Sequence, residues 1–194
     1  MRGIMAANDL TTLDNVKRWL KITTTSDDAL LSSLITAASQ YMETYCDREF
    51  VPQQFTEIRD GKGTTGMSFA HYPVTAISKV MIGSLIIPPA PQPGDPAYPG
   101  VGYVFSATRI KLQGYYFWAG VANVELIYTA GYVAMPADLV QCCNELVGLR
   151  YRQRDHVGLM GATSVGGQHI GYDDAALSPA QAVILGQYKR VVPL

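Results

Sequence analysis

Apolar residues recur at helical spacing most clearly from Asp27 to Cys46, where Leu30, Leu31, Leu34, Ile35, Ala38, Tyr41, Met42 and Tyr45 fall on one face. Ser26 is placed to cap this helix, and Asp27 and Asp28 suit its positive end. At 1.5 Å per residue it would be about 30 Å long. Ahead of it, Thr11 and Thr12 cap a shorter helix with Asp14 in its first turn and Val16, Trp19 and Leu20 on one side.

From Phe50 to about Val133 the period shortens to two. Phe55, Glu57 and Arg59 alternate with Thr56 and Ile58, and further strands are predicted over Val74–Ile82, Tyr103–Leu112 and Val121–Thr129. About four strands would make one small antiparallel sheet, with a turn at Asp60-Gly61-Lys62-Gly63. Between the second and third lies a run, residues 88–100, holding Pro88, Pro89, Pro91, Pro93, Pro96 and Pro99. Proline neither donates ladder bonds nor continues a helix, so the run is expected to project as a loop.

Helical spacing returns at Pro136, which suits the first helical position. Leu139, Val140, Cys143, Leu146, Val147 and Tyr151 line one side, and Asp138, Gln141, Glu145, Gly148 and Arg152 the other. Five glycines then loosen residues 156–174, a connection long enough to be expected mobile or functional. Ser178, Pro179 and Gln181 form a capping box for a last helix through Ile184, Leu185 and Tyr188. The pattern predicts an α+β fold: a helical frame of about four helices from both chain ends (1–49 and 135–194) with a small antiparallel β subdomain (50–134) inserted.

Composition narrows the function classes. With 194 residues the chain is one domain, or one domain with an inserted subdomain, and 48% hydrophobic content can close a core without disulfides or metals. Charged residues make 16%, against about 25% in typical soluble domains, while there are twelve Tyr. Such a surface is expected to meet other protein. Fifteen Lys plus Arg against sixteen Asp plus Glu give a net charge of -1, which supplies no global attraction to DNA or anionic lipid. No apolar run approaches the roughly 20 residues that span a bilayer, and the apolar residues between Arg2 and Asn8 are too few for a signal-peptide core, so no membrane association is expected.

Reactive motifs are poorly supported. Gly61-Lys62-Gly63-Thr64-Thr65-Gly66 lacks the glycine spacing, the Lys-Ser/Thr pair and the following helix of a phosphate loop, and reads as a hairpin turn. Gly100-Val101-Gly102 lacks the third glycine of a dinucleotide fingerprint, with Phe105 standing there. His71, His156 and His169 have no metal-ligand spacing, and Cys46, Cys142 and Cys143 read as buried thiols in a reduced compartment. No catalytic residue, cofactor or metal is predicted. Arg150, Arg152 and Arg154 crowd a helix end, where they oppose the negative dipole end and could contact a neighbouring subunit or DNA.

The order of these features resembles the head-to-tail connector, or adaptor, proteins of tailed bacteriophages. The telling segments are Leu13-Asp14-Asn15-Val16-Lys17-Arg18-Trp19-Leu20, then Asp27-Asp28-Ala29-Leu30-Leu31, and the block from Ile35 to Phe50. Tyr72-Pro73-Val74, residues 125–132 followed by Pro136-Ala137-Asp138-Leu139, and the closing Leu185-x-x-Tyr188-Lys189-Arg190 also fit. The resemblance implies a structural virion protein of the neck, assembled in the host bacterial cytoplasm. It implies a ring of about twelve copies that binds the portal protein, extends the channel for passing double-stranded DNA, and presents a surface to a head-closure or tail protein. Alternatives are a head-closure or tail-completion protein and a small DNA-binding packaging factor. On this reading Tyr188, Lys189, Arg190, Val191, Val192, Pro193 and Leu194 are candidates for portal contact, and residues 156–174 for subunit contact.

Overall fold

The computed structural model describes residues 8–154, 161–163, 169–171 and 177–191. Among them the chain forms α1 (Leu13–Leu20), α2 (Asp28–Cys46), β1 (Gln53–Gly61), β2 (Gly66–Ser68), β3 (Val74–Ile82), β4 (Leu85–Ile86) and β5 (Gly102–Phe105). These are followed by β6 (Arg109–Gln113), β7 (Gly120–Ala130), α3 (Ala137–Gln153), β8 (Gly161–Thr163), β9 (His169–Gly171) and α4 (Pro179–Gln187). The fold is α+β, with helices at both chain ends and antiparallel sheets between. It divides into two compact units: Met1–Arg48 with Met135–Arg190, and Glu49–Ala134 with Val191–Leu194.

In the helical unit α1, α2 and α4 all pack on α3. Apolar residues of α2 (Leu31, Ile35, Ala38, Met42) and α3 (Leu139, Cys143, Leu146, Val147) are fully buried, together with Val16 and Leu185. Two sequence expectations shift here. The N-cap of α2 is Asp27 rather than Ser26, and its side chain makes no capping bond because it is taken by Tyr151 and Arg154. Gly148, expected on the polar side of α3, is buried: a Cβ there would stand 3.3 Å from Leu20 Cδ2 and 3.5 Å from Trp19 Nε1, so the missing side chain is what lets α1 approach. The capping box at Ser178 is formed in full, with Pro179 in the first turn of α4.

Several polar side chains inside this unit are matched to partners. Thr11 donates to Asn144 Oδ1 (2.7 Å), the Leu10 N–H donates to Ser39 Oγ (3.0 Å), and Ser39 Oγ lies 3.8 Å from Cys143 Sγ. Gln181 donates to Glu145 (3.1 Å), tying α4 to α3. Each pairing offsets the desolvation of a buried polar atom and fixes the register of the elements it joins.

The β unit holds two sheets rather than the single sheet expected. One has the order β1-β7-β3-β4, the other β2-β6-β5, and every ladder is antiparallel. Their core joins Val80, Ile82, Val124, Leu126 and Tyr128 to Phe69, Ile110, Leu112 and Phe117. The second sheet arises because the stretch predicted as one strand from Tyr103 to Leu112 reverses at residues 106–108. There the Ser106 N–H donates to Arg109 O (2.8 Å) and the Arg109 N–H to Ser106 Oγ (3.2 Å). This turn contains neither glycine nor proline, so the sequence pattern passes over it.

The 61–66 segment is a turn leading into strand β2, not a helix-bound phosphate loop. The proline run is pinned at its start: the Tyr103 N–H donates to Pro88 O (2.9 Å) and the Ala90 N–H to Tyr103 O (2.8 Å), using the one residue there that retains a donor. Residues 92–99 beyond it are exposed. Within 156–174 the described residues are β8 and β9, paired through Ala162 and Ile170; the rest of that expected mobile loop lies outside the described residues.

Gly131 adopts φ +132, and a Cβ there would meet the Val51 and Pro52 backbone at 2.6 Å. Gly131→Ala should lower unfolding free energy by about 1–3 kcal/mol, whereas Gly66→Ala, whose Cβ would lie 3.6 Å from Ile110 O, should leave the denaturation midpoint nearly unchanged. Urea melts of the two variants check the contrast.

Candidate interaction surfaces

No reactive centre emerges among the described residues. Cys46, Cys142 and Cys143 are buried and unpaired, and burial pushes each thiol up to about 11, far from the thiolate form a nucleophile needs. His71 stacks on Phe55 with ring centroids 3.8 Å apart and reaches Glu49 at 3.3 Å through Nδ1. His156 lies outside the described residues, and His169 is the first residue of β9. No group of three His, Cys, Asp or Glu among the described residues could hold a metal ion. Among the described residues no helix is long and apolar enough to cross a membrane.

The three arginines of the α3 end have different surroundings. Arg150 lies over the Tyr41 ring at 5.3 Å, and Arg154 lies over the Tyr151 ring at 4.1 Å while pairing with Asp27 at 3.5 Å. Arg152 is exposed. Tyr151 in turn donates a short hydrogen bond to Asp27. Arg154 thus serves both the negative end of α3 and the Asp27 carboxylate that opens α2, and Lys17 adds a 2.7 Å pair with Asp28 beside it. Cation–π stacking and the ion pair therefore account for Arg150 and Arg154 inside the unit.

The start of the C-terminal tail is also built into the fold. Tyr188 donates to the Asp138 carboxylate (2.7 and 2.9 Å), Lys189 Nζ lies 4.4 Å from the Tyr45 ring centroid, and the Arg190 N–H donates to Cys46 O (2.8 Å). Val191, grouped with the β unit, donates its N–H to the Tyr72 hydroxyl (3.1 Å) and is 73% exposed. Val192, Pro193 and Leu194 lie outside the described residues.

In the β unit a half-buried polar node fixes the segment after β2. Tyr128 donates to Glu57 (2.6 Å), the Ala70 N–H reaches the same carboxylate (3.2 Å), and Arg59 bridges Glu57 and Ser68 O. Burial, and then the Glu57 carboxylate, push the Tyr128 hydroxyl up, keeping it a donor. The outer face of the larger sheet carries one cross-strand row, Ile58, Glu125, Met81 and Ile86, of which Ile58 and Ile86 are about two-thirds exposed. On the smaller sheet Arg109 and Lys111 project from β6 two residues apart, hence on one face. They line a groove of about 600 Å³ with Val104, Phe105 and Thr64. A second groove of about 460 Å³ lies on the other side of Arg109, beside Lys62, Asp60 and Ile58. Sequence reading had no weight on these residues, although the Arg109-x-Lys111 alternation carried the signal.

Among the described residues the distinctive surface features of this α+β fold are the exposed apolar row on one sheet and the cationic groove on the other. The family model for head completion protein matches residues 9–191, and the chain belongs to that family. No curated protein matches it in sequence. Among solved structures it is similar to a chain in the neck of an empty gene transfer agent (GTA) particle computed with C6 symmetry (TM-score 0.60, 18% identity, 98% of this chain and 95% of that one). It is similar also to a chain in the neck of the native particle computed with C12 symmetry (TM-score 0.59, 17% identity, 98% and 94%). A chain in the virion of the native gene transfer agent particle gives TM-score 0.59 and 18% identity over 100% and 96%. At these identities the likeness is one of fold.

Two outcomes follow from the site chemistry. With thiols near 11, only about 0.1% of each is thiolate at pH 8, so a disulfide-exchange reagent should label none of the three cysteines in the native protein and all three in guanidinium. The Tyr151 hydrogen bond, and then Arg154, hold the Asp27 carboxyl below its ordinary value. A depressed carboxylate contributes stability above its unfolded value that is lost as pH falls through its folded one. Tyr151→Phe should therefore lower the melting temperature at pH 7, with the difference from wild type closing in acid.

Proposed function

We propose that the chain is a structural, non-enzymatic neck protein of a tailed-phage-like particle, acting as the head-to-tail adaptor. Copies of it form a ring, of about twelve subunits, on the portal protein. The ring extends the channel through which double-stranded DNA passes without sequence reading, and offers its far side to a head-closure or tail protein. The observation that carries this reading is the family match over residues 9–191, together with fold neighbours found in particle necks of C6 and C12 symmetry.

The surface chemistry supports it. Few charges, many tyrosines and exposed apolar side chains on both units (Trp19 and Val183 on one; Ile58, Ile86 and Tyr98 on the other) are the composition of protein contact faces. A closed ring of one chain needs a heterologous interface, two different patches that match across copies. Near-neutral net charge suits a channel that does not grip phosphates. Portal contact falls to the tail, residues 188–194; within its described part Tyr188, Lys189 and Arg190 are engaged in the helical unit and Val191 is exposed. Arg152 is the cation of its cluster best placed for a neighbouring subunit or DNA, since Arg150 and Arg154 stack on tyrosines. Assembly would take place in the bacterial cytoplasm and the product would reside in the virion neck.

A head-closure role, one position further from the portal, is the second reading, favoured by the description of the family as head completion proteins. Native mass spectrometry separates the two. An adaptor should give a complex of about twelve copies with the portal ring, and deletion of residues 191–194 should weaken that complex while leaving the fold intact. A chain that ignores the portal and binds only a preassembled portal–adaptor complex would be the head-closure protein.

A further inference from the structure

We propose that the proline-rich prong, residues 91–100, of one copy docks into the groove beside Arg109 and Lys111 of a second copy, forming the head-to-tail contact of the ring. The proposal rests on the ring reading above and names the surfaces that close it.

The prong is preorganised. Its limbs meet at Gly100, where a Cβ would stand 2.6 Å from Pro91 Cγ and 2.9 Å from Ala97 O, so only glycine allows this closure. Inside it the Asp95 N–H donates to Gln92 O, the Tyr98 N–H to Asp95 O (both 3.0 Å), and the Ala97 N–H to the Asp95 carboxylate (2.9 Å). At its base Gly102, with φ +149, lies where a Cβ would meet Ala90 N and Pro88 O at 2.6 Å. Prolines and internal hydrogen bonds leave little conformational entropy to lose on binding. Yet this braced loop presents Tyr98 at 51% exposure, with Val101 just beyond it at 57%. A rigid loop with an aromatic side chain held in solvent has the form of an interface anchor.

The groove has the complementary chemistry. Asp95 is the one charged residue between Lys79 and Arg109 in the sequence, so the prong carries a single negative charge. The groove of about 600 Å³ carries Arg109 and Lys111, no lining carboxylate, and Val104 and Phe105 as apolar walls. Neither cation pairs with a carboxylate among the described residues. The volume lies within the roughly 300–1,000 Å³ of sites that enclose small groups, ample for a tyrosine ring with a flanking proline.

Placement decides the occupant. The prong leaves β5 at Gly102, and the groove opens at the other end of that strand, at Phe105 and Ser106. A matched pair of patches at opposite ends of one strand, each lacking its partner in its own chain, is what a heterologous contact between identical copies requires. Duplex DNA would satisfy the two cations but leave Phe105 and the whole prong without a role, so a second copy is the better fit.

The test is a charge swap on the full chain, read by native mass and sedimentation velocity, alone and with portal, with circular dichroism confirming the fold. Asp95→Lys and Arg109→Glu should each raise the concentration needed for ring assembly roughly tenfold or more. The double variant, in which every interface regains an opposite pair although the Ala97 bond to residue 95 stays lost, should assemble at a lower concentration than either single variant. As a second readout, Tyr98→Cys with Ser106→Cys in one chain should give a ladder of disulfide-linked oligomers on oxidation, and neither single variant should. Wild-type rings unaffected by either reversal, singles not rescued by the double, or no ladder from assembled rings would each overturn the prong contact while leaving the ring intact. Loss of DNA retention in Arg109→Glu with assembly unchanged would likewise assign the groove to DNA. A wild-type chain that stays monomeric under every condition would remove the ring reading itself, and this proposal with it.

Discussion

The helical unit depends on the burial of α3 from three sides. An amphipathic helix offers one apolar stripe, yet α3 receives α1, α2 and α4, so its nominally polar positions must also be made fit for the interior. The chain does this with one absence and two polar matches. Gly148 removes the side chain that would hold off Trp19 and Leu20, Asn144 accepts from Thr11, and Glu145 accepts from Gln141 and Gln181. Thr11 and Gln181 are thereby fixed to the same helix, which is how segments from both ends of the chain come to share one core.

A comparable economy orders the β unit. Glu57, Tyr128 and Arg59 form one satisfied cluster beneath the 69–71 segment, and the aromatic rings of Phe55, Phe69 and Tyr128 pack around it. Because both sheets contribute to the core, the outer faces are left to carry what the interior does not need: Ile58 and Ile86 on one, Arg109 and Lys111 on the other. The polar pairs named above are spent on holding elements together, and the buried thiols are protonated. The apolar and cationic side chains of those outer faces lie at the surface, where such groups serve contacts with other protein.

Much of the fold was legible in the sequence because periodicity survives wherever one face is buried. The span of α2, the alternation of Val124, Leu126 and Tyr128 in β7, and the capping box of α4 are all local signals. What escaped was decided at a distance. Ser26 was the better local cap for α2, but Asp27 holds the position because Tyr151 and Arg154 claim its carboxylate. Gly148 sits at a polar position in the helical repeat and is buried only because α1 crosses there. The reversal at Ser106 depends on a side-chain bond rather than on glycine or proline. The contact surfaces were hidden for another reason: exposure of Tyr98 or Phe105 marks a site only once the rest of the chain is seen to leave them uncovered.

The central claim is that this chain is a permanent structural member of the particle neck. Electron microscopy of mature particles carrying a subunit-specific label on this chain tests it most directly. A ring of label immediately beneath the portal, retained in DNA-filled particles, is the predicted result; label absent from mature particles would contradict the account.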